Sequence, residues 1–69
     1  MSAPNSIFRK GMRVIVTKAD RDDVRLGLHG DTIATVVGVH QNGFDVTIEP
    51  IAQDKYFLVD SKQIREYRG

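Results

Sequence analysis

The sequence predicts a small all-β domain. Three patterns carry that expectation. Met12, Val14 and Val16 alternate with Arg13, Ile15 and Thr17, the period-two signature of a half-buried strand. Asp31 to His40 is dense in β-branched residues (Thr32, Ile33, Thr35, Val36, Val37 and Val39). Asn42-Gly43 follows it, and both residues tolerate the positive φ that a two-residue hairpin turn demands.

Size and composition bound the rest. The chain has 69 residues, which allows one small domain with a thin core. Hydrophobic residues make up 41% and charged ones 28%, too apolar a balance for intrinsic disorder. Cysteine is absent, so neither a disulfide nor a cysteine zinc site can staple the fold. No apolar run approaches a membrane span, and no signal-peptide core is present, so a soluble cytoplasmic protein is expected.

Read along the chain, residues 1–7 have no periodicity and are expected to form a flexible tail. Residues 8–69 are then a single domain. The first strand runs through Met12 to Thr17 after a turn at Gly11. Residues 19–30 are charged and broken by Gly27 and Gly30. Val24 and Leu28 have helical spacing, but the segment is short, so it is expected to be a long loop anchored by Leu26 and Leu28. Long loops in compact domains are often functional.

The second strand occupies 31–40, and the third is Phe44 to Glu49, ending at Pro50. A two-residue turn would set His40 opposite Asp45, Val39 opposite Val46 and Val37 opposite Ile48. Val37, Val39, Val46 and Ile48 would then point inward together. Gly38 is a site for a bend or bulge, beyond which Ala34 and Val36 would be the inward pair. Lys55 to Val59 makes a fourth strand with apolar residues on both faces. Asp60 or Ser61 can cap one 3₁₀ turn before a short closing strand at Ile64 to Tyr67. The expected core is Val14, Val16, Val37, Val39, Val46, Ile48, Leu58 and Ile64.

The net charge of +1 conceals an uneven distribution. Residues 1–18 carry +4, residues 19–31 carry −2, residues 32–49 carry −2 and residues 50–69 carry +1. Both ends are basic and the middle is acidic. That matters only if the fold brings the ends together.

The order of strand, long loop, strand, hairpin, two strands, 3₁₀ turn and strand resembles a five-stranded SH3-like barrel over roughly residues 9–68. Gly30-Asp31-Thr32 leading into Ala34-Thr35-Val36-Val37-Gly38-Val39 is similar to the second strand of KOW-type barrels. Val59-Asp60-Ser61-Lys62-Gln63-Ile64 is similar to the closing turn and strand of that architecture. The KOW resemblance implies association with RNA or with transcription or translation machinery. This chain departs from that pattern in its charged 19–30 loop and its weakly basic balance.

Proline-reading SH3 domains are less similar, because they use an aromatic groove and this chain has no Trp, two Tyr and three Phe. A plasmid-type dihydrofolate reductase barrel shares a Phe-x-x-Gly-x-Arg-Val start, matched by Phe8, Gly11, Arg13 and Val14. The Gln-Ile-Tyr active-site stretch of that family is missing, with Phe57-Leu58-Val59 in its place, so its activity is not implied.

Little in the chain suggests catalysis. His29 and His40 stand at opposite ends of one strand, without metal-site spacing. His40 opposite Asp45 is the one pair resembling an oriented base, and an exposed cross-strand pair is its plainer meaning. No enzyme, cofactor, metal or small-molecule substrate is expected. Binding is the better class.

If the last strand pairs with the first, Arg9, Lys10, Arg13, Lys18, Lys62, Arg65 and Arg68 gather on one side with Tyr67 among them. A basic patch with an aromatic suits phosphate contact and base stacking. Lys and Arg also simply protect an open sheet edge. The alternative is a protein partner met by the 19–30 loop through Asp20, Asp22, Asp23, Arg25, Leu26 and Leu28.

Overall fold

A computed structural model of the chain describes residues 8–41 and 44–68. The expected tail, residues 1–7, and the Asn42-Gly43 turn lie outside the described residues. The described part is a small all-β domain built on one five-stranded antiparallel sheet. Its strands are β1 (Arg13–Val16), β2 (Ile33–Val39), β3 (Asp45–Pro50), β4 (Phe57–Asp60) and β5 (Ile64–Glu66). Their order across the sheet is β4-β3-β2-β1-β5, so the last strand docks beside the first. The sheet has two unpaired edges, at β4 and β5, rather than a closed circuit.

The core is packed under one face. Val14 and Val16 of β1, Ala34 and Val36 of β2, Val46 and Ile48 of β3, Phe57 and Val59 of β4 and Ile64 of β5 are buried together with Phe8 and Leu28. The strict alternation of β1 and β3 therefore holds as expected. Three expected core positions do not. Val37 is half-buried, Val39 is 40% exposed and Leu58 is 59% exposed.

The cause at Val37 is a bulge. Val39 pairs with Val46 and Gly38 with Thr47, but the next pair is Val36 with Ile48, so the register shifts between Val36 and Gly38. The extra residue is Val37, and the expected Val37–Ile48 pair is replaced by Val36–Ile48. A bulge reverses the faces of everything beyond it, which buries Ala34 and Val36. In β4 the phase is set by Phe57 and Val59, which face the core and leave Leu58 outside.

The 19–30 segment is not wholly a loop. Arg21–Arg25 forms one α-helical turn, α1. Asp20 caps it: its Oδ1 accepts the Asp23 amide at 2.8 Å, while Asp23 Oδ2 accepts the Asp20 amide at 3.3 Å. This reciprocal box satisfies amides that a helix start otherwise leaves open. Leu28, buried completely, then pins the chain to the core, whereas Leu26 is 58% exposed.

The 3₁₀ turn spans Ser61–Gln63 and is capped by Asp60, whose Oδ1 accepts the Lys62 amide at 2.8 Å. Gln63 Oε1 accepts the Asp60 amide at 2.9 Å. Among the described residues no helix is long and apolar enough to cross a membrane.

Candidate functional site

The pairing of β1 with β5 decides where the basic residues fall. Ile15 faces Arg65 and Val14 faces Glu66, and the Tyr67 amide donates to the Arg13 carbonyl at 2.9 Å. Val14 and Val16 point into the core, so Arg13 and Ile15 point away from it. Opposed residues share a face. Arg13, Ile15, Arg65 and Tyr67 therefore stand together on the outer face of β1 and β5. Arg13 and Arg65 are exposed, and Ile15 and Tyr67 are half-buried between them.

The charge of this face changes sign within two strands. Arg13 pairs with Thr35, and Thr35 pairs with Glu49. One row across the sheet thus reads Tyr67, Arg13, Thr35, Glu49. The neutral Thr35 separates a cationic edge from an anionic middle.

The other sequence-derived cations are spread around this pair. Lys18 stands beside the 3₁₀ turn that bears Lys62, since its amide donates to the Gln63 carbonyl at 3.2 Å. Arg9 and Lys10 lie in the turn that enters β1, closed by the Met12 amide on the Arg9 carbonyl at 3.0 Å. Arg68 is paired with Glu66 at 3.3 Å, so a neighbouring carboxylate offsets its charge.

The loop residues divide differently. Asp20 and Asp23 are committed to the α1 cap, and Asp23 is buried and also accepts from Gln63 Nε2 at 3.1 Å. Leu28 belongs to the core. Asp22, Arg25 and Leu26 remain exposed, joined by Val24.

Comparison with models of protein families, with curated proteins and with solved structures gave no match. The residues themselves carry the functional reading.

A second feature was not expected from sequence. A groove of about 540 Å³ lies over the β2 bulge, lined by Lys10, Val37, Gly38, Val39, His40, Thr47 and Tyr56. Tyr56, 69% exposed, forms its aromatic wall. His40 does not make the side-chain pairing with Asp45 on which the base-like reading rested. Its Nε2 shares a hydrogen bond of 2.9 Å with Thr47 Oγ1 instead, and the backbones of His40 and Asp45 are joined by the His40 amide donating to the Asp45 carbonyl at 3.0 Å. Among the described residues no group of three or more His, Asp or Glu is arranged to hold a metal ion.

Proposed function

We propose that this chain is a non-enzymatic binding module, an SH3-like barrel of the KOW kind, that contacts nucleic acid or a nucleoprotein complex of the transcription or translation machinery. The strand order β4-β3-β2-β1-β5, with a 3₁₀ turn leading into the last strand, supports the architectural part. The observation that carries the functional part is the shared outer face of Arg13, Arg65, Ile15 and Tyr67. Two guanidiniums on adjacent strands suit successive phosphates, and a half-buried tyrosine beside them offers a flat surface for a base. Phosphate attraction is sequence-independent and depends on salt.

The test is a titration of labelled single-stranded RNA and DNA at several salt concentrations. Binding should weaken linearly in log–log form, by about 0.7 in slope for each phosphate contacted on a single strand. Arg13→Glu/Arg65→Glu should abolish it while the fold survives, since both side chains are exposed. No binding at low salt overturns the proposal.

One observation favours a second reading, an adaptor that docks protein through the 19–30 segment. Val24 on the helix turn and Leu26 at its C-terminal cap are both exposed, and the N-terminal cap is already satisfied internally. Loss of a protein partner on Val24→Asp/Leu26→Asp, with nucleic-acid binding absent, would select it.

A further inference from the structure

The groove over the β2 bulge has a specific construction. Its floor is Gly38, which sits opposite Thr47 and presents no side chain. A Cβ built there would lie 3.9 Å from Thr47 Cβ, an ordinary contact, so the space above Gly38 is open for an occupant. Tyr56 rises along one wall with most of its surface in solvent. His40 and Thr47 form a polar rim, and their mutual hydrogen bond uses Nε2, leaving Nδ1 with no partner among the described residues. Lys10 closes another side and makes no ion pair among the described residues.

We propose that this groove seats one base of a single-stranded nucleic acid, stacked on Tyr56, with an adjoining phosphate on Lys10. The proposal rests on the nucleic-acid reading above and gives it a second contact point. An open groove with an aromatic wall and a glycine floor gives a planar ring a surface to stack on. The volume is in the range of small-molecule sites, about 300–1,000 Å³, and apolar walls with a few placed polar groups are what such sites have.

Charge selects a nucleotide over an apolar peptide: Lys10 has no carboxylate to neutralise it, and Arg9 precedes it in the same turn. The groove and the basic face are linked through the chain. Lys10 lies three residues before Arg13, on the turn whose Gly11 amide donates to the Val36 carbonyl at 2.7 Å. Tyr67 beside β5 and Tyr56 before β4 thus bracket the sheet, four strand spacings apart, or about 19 Å if laid flat. A single strand running from Tyr67 and Arg13 to Lys10 and Tyr56 passes beside Thr35 and Glu49 of the same face.

The experiment uses the full chain and two probes. The first is fluorescence anisotropy with a labelled oligouridylate of about 12 nucleotides, within the usual site size of small single-strand binders. The second is uridine monophosphate titrated while the backbone amides of Val37, Gly38, Val39, His40 and Thr47 are followed by NMR. Wild type should bind the oligonucleotide, and the mononucleotide should shift those amides.

Tyr56→Ala and Gly38→Val should each weaken the oligonucleotide roughly tenfold, the scale of one lost base stack, without changing the salt slope. Tyr56→Phe should restore most of that loss. Lys10→Ala should lower the slope by about 0.7. Circular dichroism and melting of each variant confirm a folded chain.

If Tyr56→Ala and Gly38→Val bind as wild type while Arg13→Glu/Arg65→Glu does not, the groove assignment is wrong and the basic face stands. If a proline-rich peptide shifts the groove amides and the nucleotide does not, the occupant is wrong. If wild type binds no oligonucleotide at low salt, both readings fall.

Discussion

The Gln63 side chain ties three segments together through Asp23. Its Nε2 donates to Asp23 Oδ2 at 3.1 Å and to the Lys18 carbonyl at 3.0 Å, while its Oε1 accepts the Asp60 amide at 2.9 Å. One amide therefore joins the end of β1, the α1 cap and the 3₁₀ turn, with both of its N–H groups and its oxygen satisfied. Gln63→Ala removes three hydrogen bonds and leaves Asp23, already largely buried, short of a donor. At about 1 kcal/mol each the loss is about 2–3 kcal/mol. For a domain of this size that lowers the melting temperature by roughly 10–20 °C. Gln63→Glu recovers little, because it sets a second carboxylate against Asp23. Scanning calorimetry that finds either variant melting with wild type would refute this assignment.

Leu26 and Leu28 separate anchor from ornament. Leu28→Ala opens a cavity under the sheet and should cost about 2–5 kcal/mol. Leu26→Ala, at an exposed position, should change stability by less than about 0.5 kcal/mol. Urea unfolding of the two variants in parallel checks the contrast, and equal midpoints would count against the packing described.

The bulge makes an equally sharp comparison in β2. Val36→Ala deletes two buried methyl groups and should cost about 2 kcal/mol. Val39→Thr exchanges a methyl for a hydroxyl at a position 40% exposed and should be tolerated within about 0.5 kcal/mol. Without the bulge Val36 would face outward and its truncation would cost little, so a Val36→Ala cost no larger than that of Val39→Thr in chemical denaturation would contradict the register.

Asp31 holds φ at +67°, in the left-handed region that residues bearing a Cβ disfavour. Its amide donates to the Val16 carbonyl at 2.7 Å, which fixes that conformation. Asp31→Val places a β-branched residue there and should cost about 1–3 kcal/mol. Asp31→Gly should melt no lower than wild type. The reverse order of melting temperatures would contradict the backbone geometry.

Glu66 holds Arg68 in an exposed pair at the β5 edge. Glu66→Gln should leave stability nearly unchanged, because exposed pairs contribute little. It should also release Arg68 for a phosphate and steepen the salt dependence of nucleic-acid binding by about one contact, or 0.7 in slope. An unchanged slope would mean that Arg68 lies off the binding path.

Much of this was legible in the residues. The alternations at Val14 and Val16, and at Val46 and Ile48, announce their buried faces because each strand is wet on one side. The Asn-Gly spacing predicts the Val39–Val46 pair, which is present. Beyond Gly38 the pattern fails, because a run of β-branched residues has no polar partner to mark its phase, and the bulge reverses it. The same ambiguity hides the phase of β4, where Tyr56, Phe57, Leu58 and Val59 are all apolar.

The helix turn is hard to see in the sequence because its cap is Asp-x-x-Asp at residues 20–23, on a segment too short to display a period. Of the candidate site, the joining of Arg13, Arg65 and Tyr67 follows from strand order alone. The groove does not. Lys10, Gly38 and Tyr56 come from three separate segments, and the one signal of it was a glycine interrupting a valine-rich strand.

The place of β1, between β2 and β5, also fixes the order of assembly. The β2–β3–β4 meander links neighbours in sequence, so its loops close cheaply. The contact between Val14 and Glu66 spans fifty-two residues and repays its closure entropy only once a sheet exists to receive it. Folding should therefore begin in the meander and finish when β5 docks on β1. The Gly38, Thr47 and Tyr56 side of the groove belongs to the early part and the Arg13–Arg65 face to the late one. An intermediate halted before the last docking step would carry a formed base seat and no cationic face, and its weak grip on an anionic ligand would report the missing strand.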